Sequence, residues 1–122
     1  MDLLVEYRRA TRLFEAGQSI EAARLLEPIV AAEPGNGAAR QLLARAYFHS
    51  AQLTRAEEQL RILVARDPSD HYAHHVLGRT LERQGRADEA LPHLRIAAAM
   101  GSDEEYGRAV RRVEDALRRD RR

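Results

Sequence analysis

The sequence predicts an all-α fold: three similar helix-turn-helix units followed by a seventh helix. The chain has 122 residues and is 44% hydrophobic but only 5% aromatic, and alanine and leucine supply most of its apolar content. That composition favours closely packed helices. Small and large apolar residues recur at one fixed spacing along the chain. Glycine or proline stands at most of the places where one helix has to end before the next begins.

The repeat emerges when the sequence is compared with itself at the offset that separates Ala10 from Ala44. Small residues at matching positions let two helices approach closely, and larger residues fill the space between them. Gly17 and Gly85 fall where the first helix of a unit should end in a left-handed residue. Pro34 and Pro68 separate one unit from the next. The matching positions hold Ala10, Ala44 and Gly78; Leu13, Tyr47 and Leu81; Gly17, Ala51 and Gly85; Ala22, Ala56 and Ala90; Leu26, Leu60 and Leu94; and Ile29, Leu63 and Ala97.

Capping signals agree with this phase. Two predicted starts have the spacing of a capping box, in which Ser or Thr is followed three residues later by Glu. These are Thr54 with Glu57 and Ser102 with Glu105. Asn36, and either Ser69 or Asp70, are predicted N-caps for the leading helices of the second and third units. The predicted helices are about 3–16, 20–32, 37–50, 54–66, 71–84, 88–100 and 103–119.

Because of these matching positions, residues 3–102 resemble three tetratricopeptide repeats, at about 3–36, 37–70 and 71–102. Residues 103–119 resemble the capping helix that often follows the last repeat. The resemblance implies a single domain that folds as a right-handed α-solenoid. It also implies that the leading helices line a concave surface that receives segments of other proteins. Because this fold serves many unrelated binding tasks, it predicts no particular partner.

The resemblance places 13 candidate partner-binding residues on that surface, all in leading helices. They are Tyr7, Arg8 and Thr11 in the first unit; Gln41, Leu42, Arg45, Phe48 and His49 in the second; and Tyr72, His75, Val76, Arg79 and Arg83 in the third. Arg45 and Arg79 are one repeat apart and are expected to align. Aromatic and arginine side chains dominate interface hot spots. The hypothesis is a groove for a protein segment with acidic groups among apolar ones; the alternative is ordinary solvated helix faces.

One mode known from this family does not fit these residues. Members that grip the acidic C-terminal tail of heat-shock chaperones use Lys, Asn and Arg side chains on the leading helices. The corresponding positions hold Tyr7, Thr11, Leu42, Tyr72 and Val76. None of these side chains can donate charge-assisted hydrogen bonds to a carboxylate, so we do not expect a co-chaperone of that type.

The sequence predicts no catalytic residue, metal site or cofactor. The chain has no cysteine, which excludes a disulfide, a thiolate nucleophile and a cysteine-based zinc site. It contains no glycine-rich phosphate loop and no nucleophile elbow. His71 and His75 have the i, i+4 spacing that can bind zinc, but His74 faces elsewhere and no third ligand converges on them. The predicted function is therefore binding rather than catalysis.

The charges are nearly balanced, at 20 basic and 19 acidic residues, and every basic residue is arginine. Codon usage in a GC-rich, bacterial-like genome accounts for this arginine content, and selection for carboxylate or phosphate contacts is the alternative. The N-terminus has no basic stretch followed by an apolar run. No apolar segment reaches the roughly 18 residues that cross a bilayer. We therefore expect a cytoplasmic protein.

The two ends of the chain suggest alternative functions. Leu3, Leu4 and Val5 could pair the first helix with another copy, which would make the protein a self-assembling homo-oligomer. Residues 106–122 carry a net charge of +4, which suggests weak nucleic-acid binding. That segment lacks the interleaved aromatic residues that stack on bases. A basic helix end also stabilises the helix dipole, and the balance of these points argues against nucleic acid.

Overall fold

The computed structural model describes residues 2–121, and these residues form seven α-helices and no β-strand. Every predicted helix is present, and each observed boundary lies within one residue of the predicted one. The predicted all-α architecture is therefore confirmed. In chain order the helices are α1 (Leu3–Glu15), α2 (Ser19–Ala32), α3 (Gly37–His49), α4 (Leu53–Arg66), α5 (His71–Arg83), α6 (Ala87–Met100) and α7 (Glu104–Asp120).

The chain divides into two compact parts, Met1–Gln59 and Leu60–Arg122, each larger than one predicted repeat, and the boundary falls inside α4. We call these parts the first unit and the second unit. In the first unit α1 packs against α2, and α2 packs against α3. In the second unit α5 packs against α6, and α6 packs against α7. Neighbours in sequence are thus neighbours in space, as a helical repeat requires. The grouping of the helices into one domain of three repeats stays a prediction.

The repeating apolar positions form the core of each unit. In the first unit Ala10, Ala22 and Leu26 are fully buried. In the second unit Leu94 is fully buried, and a Cβ atom added to Gly78 would lie only 2.5 Å from its Cδ2. The small residue in this column is therefore needed where α5 and α6 cross.

The turn inside each repeat has the same backbone geometry. Gly17 has a φ of +81° and Gly85 a φ of +77°, as predicted, and Ala51 occupies the same position with a φ of +61°. The following amide donates to the carbonyl five residues earlier in all three turns, which defines a Schellman motif. Glycine adopts this conformation without steric cost, whereas alanine adopts it at a cost in free energy.

Two of the predicted N-caps are correct and two are wrong. Asn36 Oδ1 accepts from the Ala39 amide at 3.0 Å, and Asp70, rather than Ser69, accepts from the Ala73 amide at 3.0 Å. Thr54 lies inside α4, because the Gln52 carbonyl already accepts the first helical hydrogen bond, from the Ala56 amide.

At α7 the predicted capping box is also wrong. The cap is Asp103, which accepts from the Glu105 amide at 2.9 Å, and not Ser102. A carboxylate is a stronger acceptor than a hydroxyl, and its charge complements the positive end of the helix dipole. The helix start therefore lies one residue later than the sequence predicted.

Helix α7 packs on the second unit through an apolar stripe. Tyr106, Val113 and Leu117 are buried, Val110 is half-buried, and Ala109 belongs to the same buried face. The helix packs mainly against α6 and touches α5. None of the helices in the described part of the chain could span a bilayer. Arg122, which belongs to the basic segment 106–122, lies outside the described residues.

Candidate functional site

The predicted binding residues of the first unit lie on α1 and α3. Arg8 and His49 are exposed, Leu42 is buried, and the others are half-buried. Thr11 donates its hydroxyl hydrogen to the Tyr7 carbonyl at 3.0 Å, so it is partly committed to its own helix. Among the predicted residues of α3, Leu42 belongs to the core and offers little surface to a partner. The half-buried residues are Tyr7, Thr11, Gln41, Arg45 and Phe48.

An arginine and three aromatic rings meet where α1 and α3 end. The Arg45 guanidinium carbon lies 4.7 Å from the centre of the Phe14 ring. His49 packs edge-on against both Phe14 and Phe48, with ring centres 5.4 Å apart in each pair. A cation held over an aromatic face is attracted by the ring quadrupole, and this contact orients the Arg45 side chain.

An open cavity of about 420 Å³ lies beside them, lined by Phe14, Arg45 and His49 together with Glu15 and Ser19. The sequence prediction included Arg45, Phe48 and His49 but missed Phe14. The repeat could have revealed it, because Phe14 and Phe48 occupy the same position in successive units. We call this cavity the aromatic–arginine pocket, defined by Phe14, Arg45 and His49.

A second cavity, of about 640 Å³, opens where α1 and α3 begin and α2 ends. Its apolar lining comes from Leu3, Leu4, Ile29 and Ala38, together with the ring of Tyr7. Its polar lining is Asp2, Glu33 and Asn36. We call it the apolar pocket, defined by Leu4, Tyr7 and Ala38. Of these three residues, the predicted site contained Tyr7.

In the second unit α7 contacts part of the α5 face that the sequence assigned to partner binding. His75 is buried beneath Tyr106 of α7, with ring centres 4.6 Å apart. Burial lowers the pKa of His75, and the charge of Arg79 lowers it further. Val76 is buried, Tyr72 is half-buried and Arg83 is exposed. His75 and Val76 are therefore largely structural.

Arg79 is engaged by carboxylates of its own unit. It lies 3.4 Å from Glu82 on α5 and 3.6 Å from Glu105 on α7. Glu82 also accepts two hydrogen bonds from Arg112 of α7, at 2.7 and 2.8 Å, and these bonds lower the pKa of Glu82. The chain thus supplies acidic groups to Arg79 itself. The alignment of Arg79 with Arg45 stays a prediction.

The histidines of α5 do not converge on one point. His71 Nδ1 lies 3.0 Å from the Tyr106 hydroxyl, whereas His74 Nδ1 lies 3.1 Å from Nδ1 of His93 on α6. Within residues 2–121 no group of three metal-ligating side chains comes together. The sequence prediction missed the contact between His74 and His93, because a buried pair of this kind has no signal in linear spacing.

Helix-turn-helix units that repeat at a fixed interval define a class of helical-repeat binding proteins. The family model of the tetratricopeptide repeat matches residues 13–79, more than half of the chain. The chain therefore belongs to the tetratricopeptide repeat family, whose members are protein–protein interaction modules. A search of curated proteins by sequence found no match.

Solved structures of other repeat proteins are similar to this chain. The first TPR of Spaghetti (RPAP3) bound to the HSP90 peptide SRMEEVD superposes with a TM-score of 0.87 at 22% identity, covering 94% of this chain and 92% of that one. The first TPR domain of human RPAP3 gives 0.85 at 22% identity, covering 94% and 91%. MamA MSR-1 gives 0.85 at 22% identity, covering 96% and 68%. At this identity the likeness extends to the fold alone, an α-solenoid of tetratricopeptide repeats.

Proposed function

We propose that the protein is a non-enzymatic adaptor that binds an acidic and apolar segment of another protein along the face of α1 and α3. The observation that carries the proposal is the Arg45 guanidinium held over the Phe14 ring beside an open cavity. Arginine and aromatic side chains that are pre-oriented in this way lose little entropy on binding a carboxylate next to an apolar group. The contribution of α5 that the sequence predicted, and the cytoplasmic location, stay predictions.

The similar structure of the first TPR of Spaghetti (RPAP3) supports this assignment by analogy. Its peptide, SRMEEVD, combines acidic with apolar residues. This chain lacks the charged side chains that the chaperone-binding members use, and Leu42 and Val76, which stand at two of those positions, are buried. The proposed ligand is therefore an internal segment of a partner rather than a chaperone's terminal carboxylate.

The test is affinity purification from the native host with the wild-type chain and with Arg45→Glu. Arg24→Glu, a charge reversal at an exposed position on α2, is the matched control. Circular dichroism must first show that both variants are folded. Partners held by the wild type and the control but lost from Arg45→Glu would support the proposal. Partners retained by all three would place binding elsewhere.

A second candidate function is self-assembly through α1. Leu4 is 56% exposed and Val5 48% exposed, which is unusual for large apolar residues placed side by side. Static light scattering across the micromolar range tests this candidate. A mass that rises with concentration, and that Leu4→Glu restores to the monomer, would support it. A constant monomer mass would exclude it.

Nucleic-acid binding through α7 receives less support. Arg108 and Arg112 pair with carboxylates of the same unit, and Arg118 pairs with Asp115. These internal pairs reduce the charge that α7 presents to phosphates.

A further inference from the structure

The face of α1 and α3 in the first unit carries two cavities with different chemistry. Leu4, Tyr7, Thr11 and Phe14 succeed one another at intervals of three or four residues and therefore share one side of α1. Leu4 and Tyr7 line the apolar pocket at one end of this stripe, and Phe14 lines the aromatic–arginine pocket at the other end. A ligand that lies along α1 would meet both pockets.

The aromatic–arginine pocket has two opposing charges, and their surroundings differ. Arg45 is half-buried over Phe14, whereas Glu15 is exposed at the rim. Solvent and salt screen an exposed charge far more than a partly buried one. The attraction of a ligand carboxylate by Arg45 should therefore exceed its repulsion by Glu15. The pocket thus favours an aspartate or glutamate side chain, whose methylene groups would rest on the neighbouring rings.

The apolar pocket has the opposite preference. Leu3, Leu4 and Ala38 offer apolar surface, and Asp2 and Glu33 at its border disfavour an acidic group. A large apolar side chain fits this chemistry, and its burial there removes apolar surface from water. The charged residues that line the two pockets therefore set the direction in which a ligand binds. Its acidic group lies at the Arg45 end.

The distance between the pockets sets the spacing of the two ligand groups. Leu4 and Phe14 are ten residues apart on one helix, which corresponds to about 15 Å at the rise of an α-helix. An extended chain covers about 3.3 Å per residue. Four or five residue steps therefore join an apolar side chain in one pocket to an acidic side chain in the other.

We infer that the partner of this protein contains an extended segment in which a large apolar residue and an Asp or Glu lie four or five positions apart, the apolar residue seated at Leu4, Tyr7 and Ala38 and the acid at Arg45. The inference rests on the proposed function, which it deepens by naming the chemistry of the bound segment.

The experiment is selection of a library of random twelve-residue peptides, displayed on phage, against the immobilised full chain. Selected peptides should be enriched in an apolar residue and an acid at the stated spacing. Selection against Arg45→Gln should remove the preference for the acid and keep that for the apolar residue. An acid preference that survives Arg45→Gln, or a motif without an acid, would overturn the inference.

Affinities of one selected peptide for three variants give a second readout. We expect Arg45→Gln to raise the Kd about tenfold, the loss of a charge-assisted contact. Glu15→Gln should lower the Kd about twofold, because it removes a screened repulsion. Arg24→Gln, on α2, should leave it unchanged. If Glu15→Gln weakened binding while Arg45→Gln strengthened it, the occupant would be basic and the assignment wrong.

Failure of the inference and failure of the proposed function give different results. The proposed function itself fails if two results coincide. No peptide is enriched more strongly than in a selection against an unrelated helical protein, and a pull-down shows no partner sensitive to Arg45→Glu. If peptides are enriched and compete with one another but lack the paired motif, then the chain binds segments and only the inferred chemistry fails.

Discussion

His74 Nδ1 lies 3.1 Å from His93 Nδ1, and His74 Nε2 lies 2.9 Å from the Pro68 carbonyl oxygen. The same pattern occurs one repeat earlier, in the other unit. There Arg40 donates to the Pro34 carbonyl at 3.0 Å and to Gln59 Oε1 at 2.6 Å. Both repeats thus join a buried polar residue of the leading helix to the preceding turn and to the second helix. The geometry recurs although the residue types differ.

The contacts of the histidine pair fix the position of one proton. A carbonyl oxygen only accepts, so His74 donates its Nε2–H to Pro68, and a single proton lies between the Nδ1 atoms of His74 and His93. Burial lowers the pKa of His93, and His74 and Arg61 lower it further. Because the unfolded chain then binds more protons than the folded chain, the free energy of unfolding should fall as the pH falls below about 6.5.

The prediction is that His74→Arg/His93→Gln reduces this pH dependence. The double variant installs the pair found at Arg40 and Gln59, which does not titrate near neutrality. Urea denaturation at pH 8 and pH 5.5 measures the difference. His75, whose pKa is also lowered, should account for part of the remaining change. An undiminished pH dependence would show that the pair is not its source.

Ala51→Gly should stabilise the protein by about 0.5–1 kcal/mol. Ala51 has a φ of +61°, a conformation that costs alanine more than glycine, and Gly17 and Gly85 occupy the same turn position. Ala16→Gly is the control, because Ala16 has a φ of −82° and should lose stability. Urea denaturation compares both variants with the wild type. A loss of stability in Ala51→Gly would contradict the strain argument.

Gly78→Ala should destabilise the protein by about 1 kcal/mol, even though alanine is the better helix former. The new Cβ would lie 2.5 Å from Cδ2 and 2.6 Å from Cγ of Leu94, which is a fully buried side chain. Shortening that side chain in Gly78→Ala/Leu94→Val should recover part of the loss. Thermal unfolding of the single and double variants measures this coupling, and strictly additive effects would count against a clash.

Tyr106→Ala should cost about 3 kcal/mol of stability, and Tyr106→Phe about 1 kcal/mol or less. The ring covers His75, whereas the hydroxyl contributes one contact, to His71. Hydrogen exchange should show α7 losing protection in Tyr106→Ala before the helices of the first unit do. Equal losses in the two variants would mean that the hydroxyl, not the ring, holds α7 in place.

The binding surface was only partly predictable. The repeat register selected Arg45 and His49, which line one pocket, and Phe48, which packs against His49. It also selected Leu42, His75 and Val76, which are buried. Register determines which side of a helix a residue is on. Burial depends on what packs there, and α7 covers His75 through a contact with Tyr106, a residue of a different helix.

The helices, their order and the turns between them could be predicted from the sequence alone. These depend on local properties: the apolar periodicity, the left-handed positions at Gly17 and Gly85, and the breaks at Pro34 and Pro68. A residue's immediate neighbours set these preferences, so they can be inferred along the chain.

The pairing of side chains from different helices depends on tertiary packing and could not be predicted. The stacking of Arg45 on Phe14, the pairing of His74 with His93, and the capture of Glu82 by Arg112 all join residues of different helices that are distant in sequence. The helical register only places each of these residues on a face where several side chains of other helices are within reach. The rotamers and the burial around them then select one partner, because a buried polar group left without a hydrogen bond costs more than the alternatives.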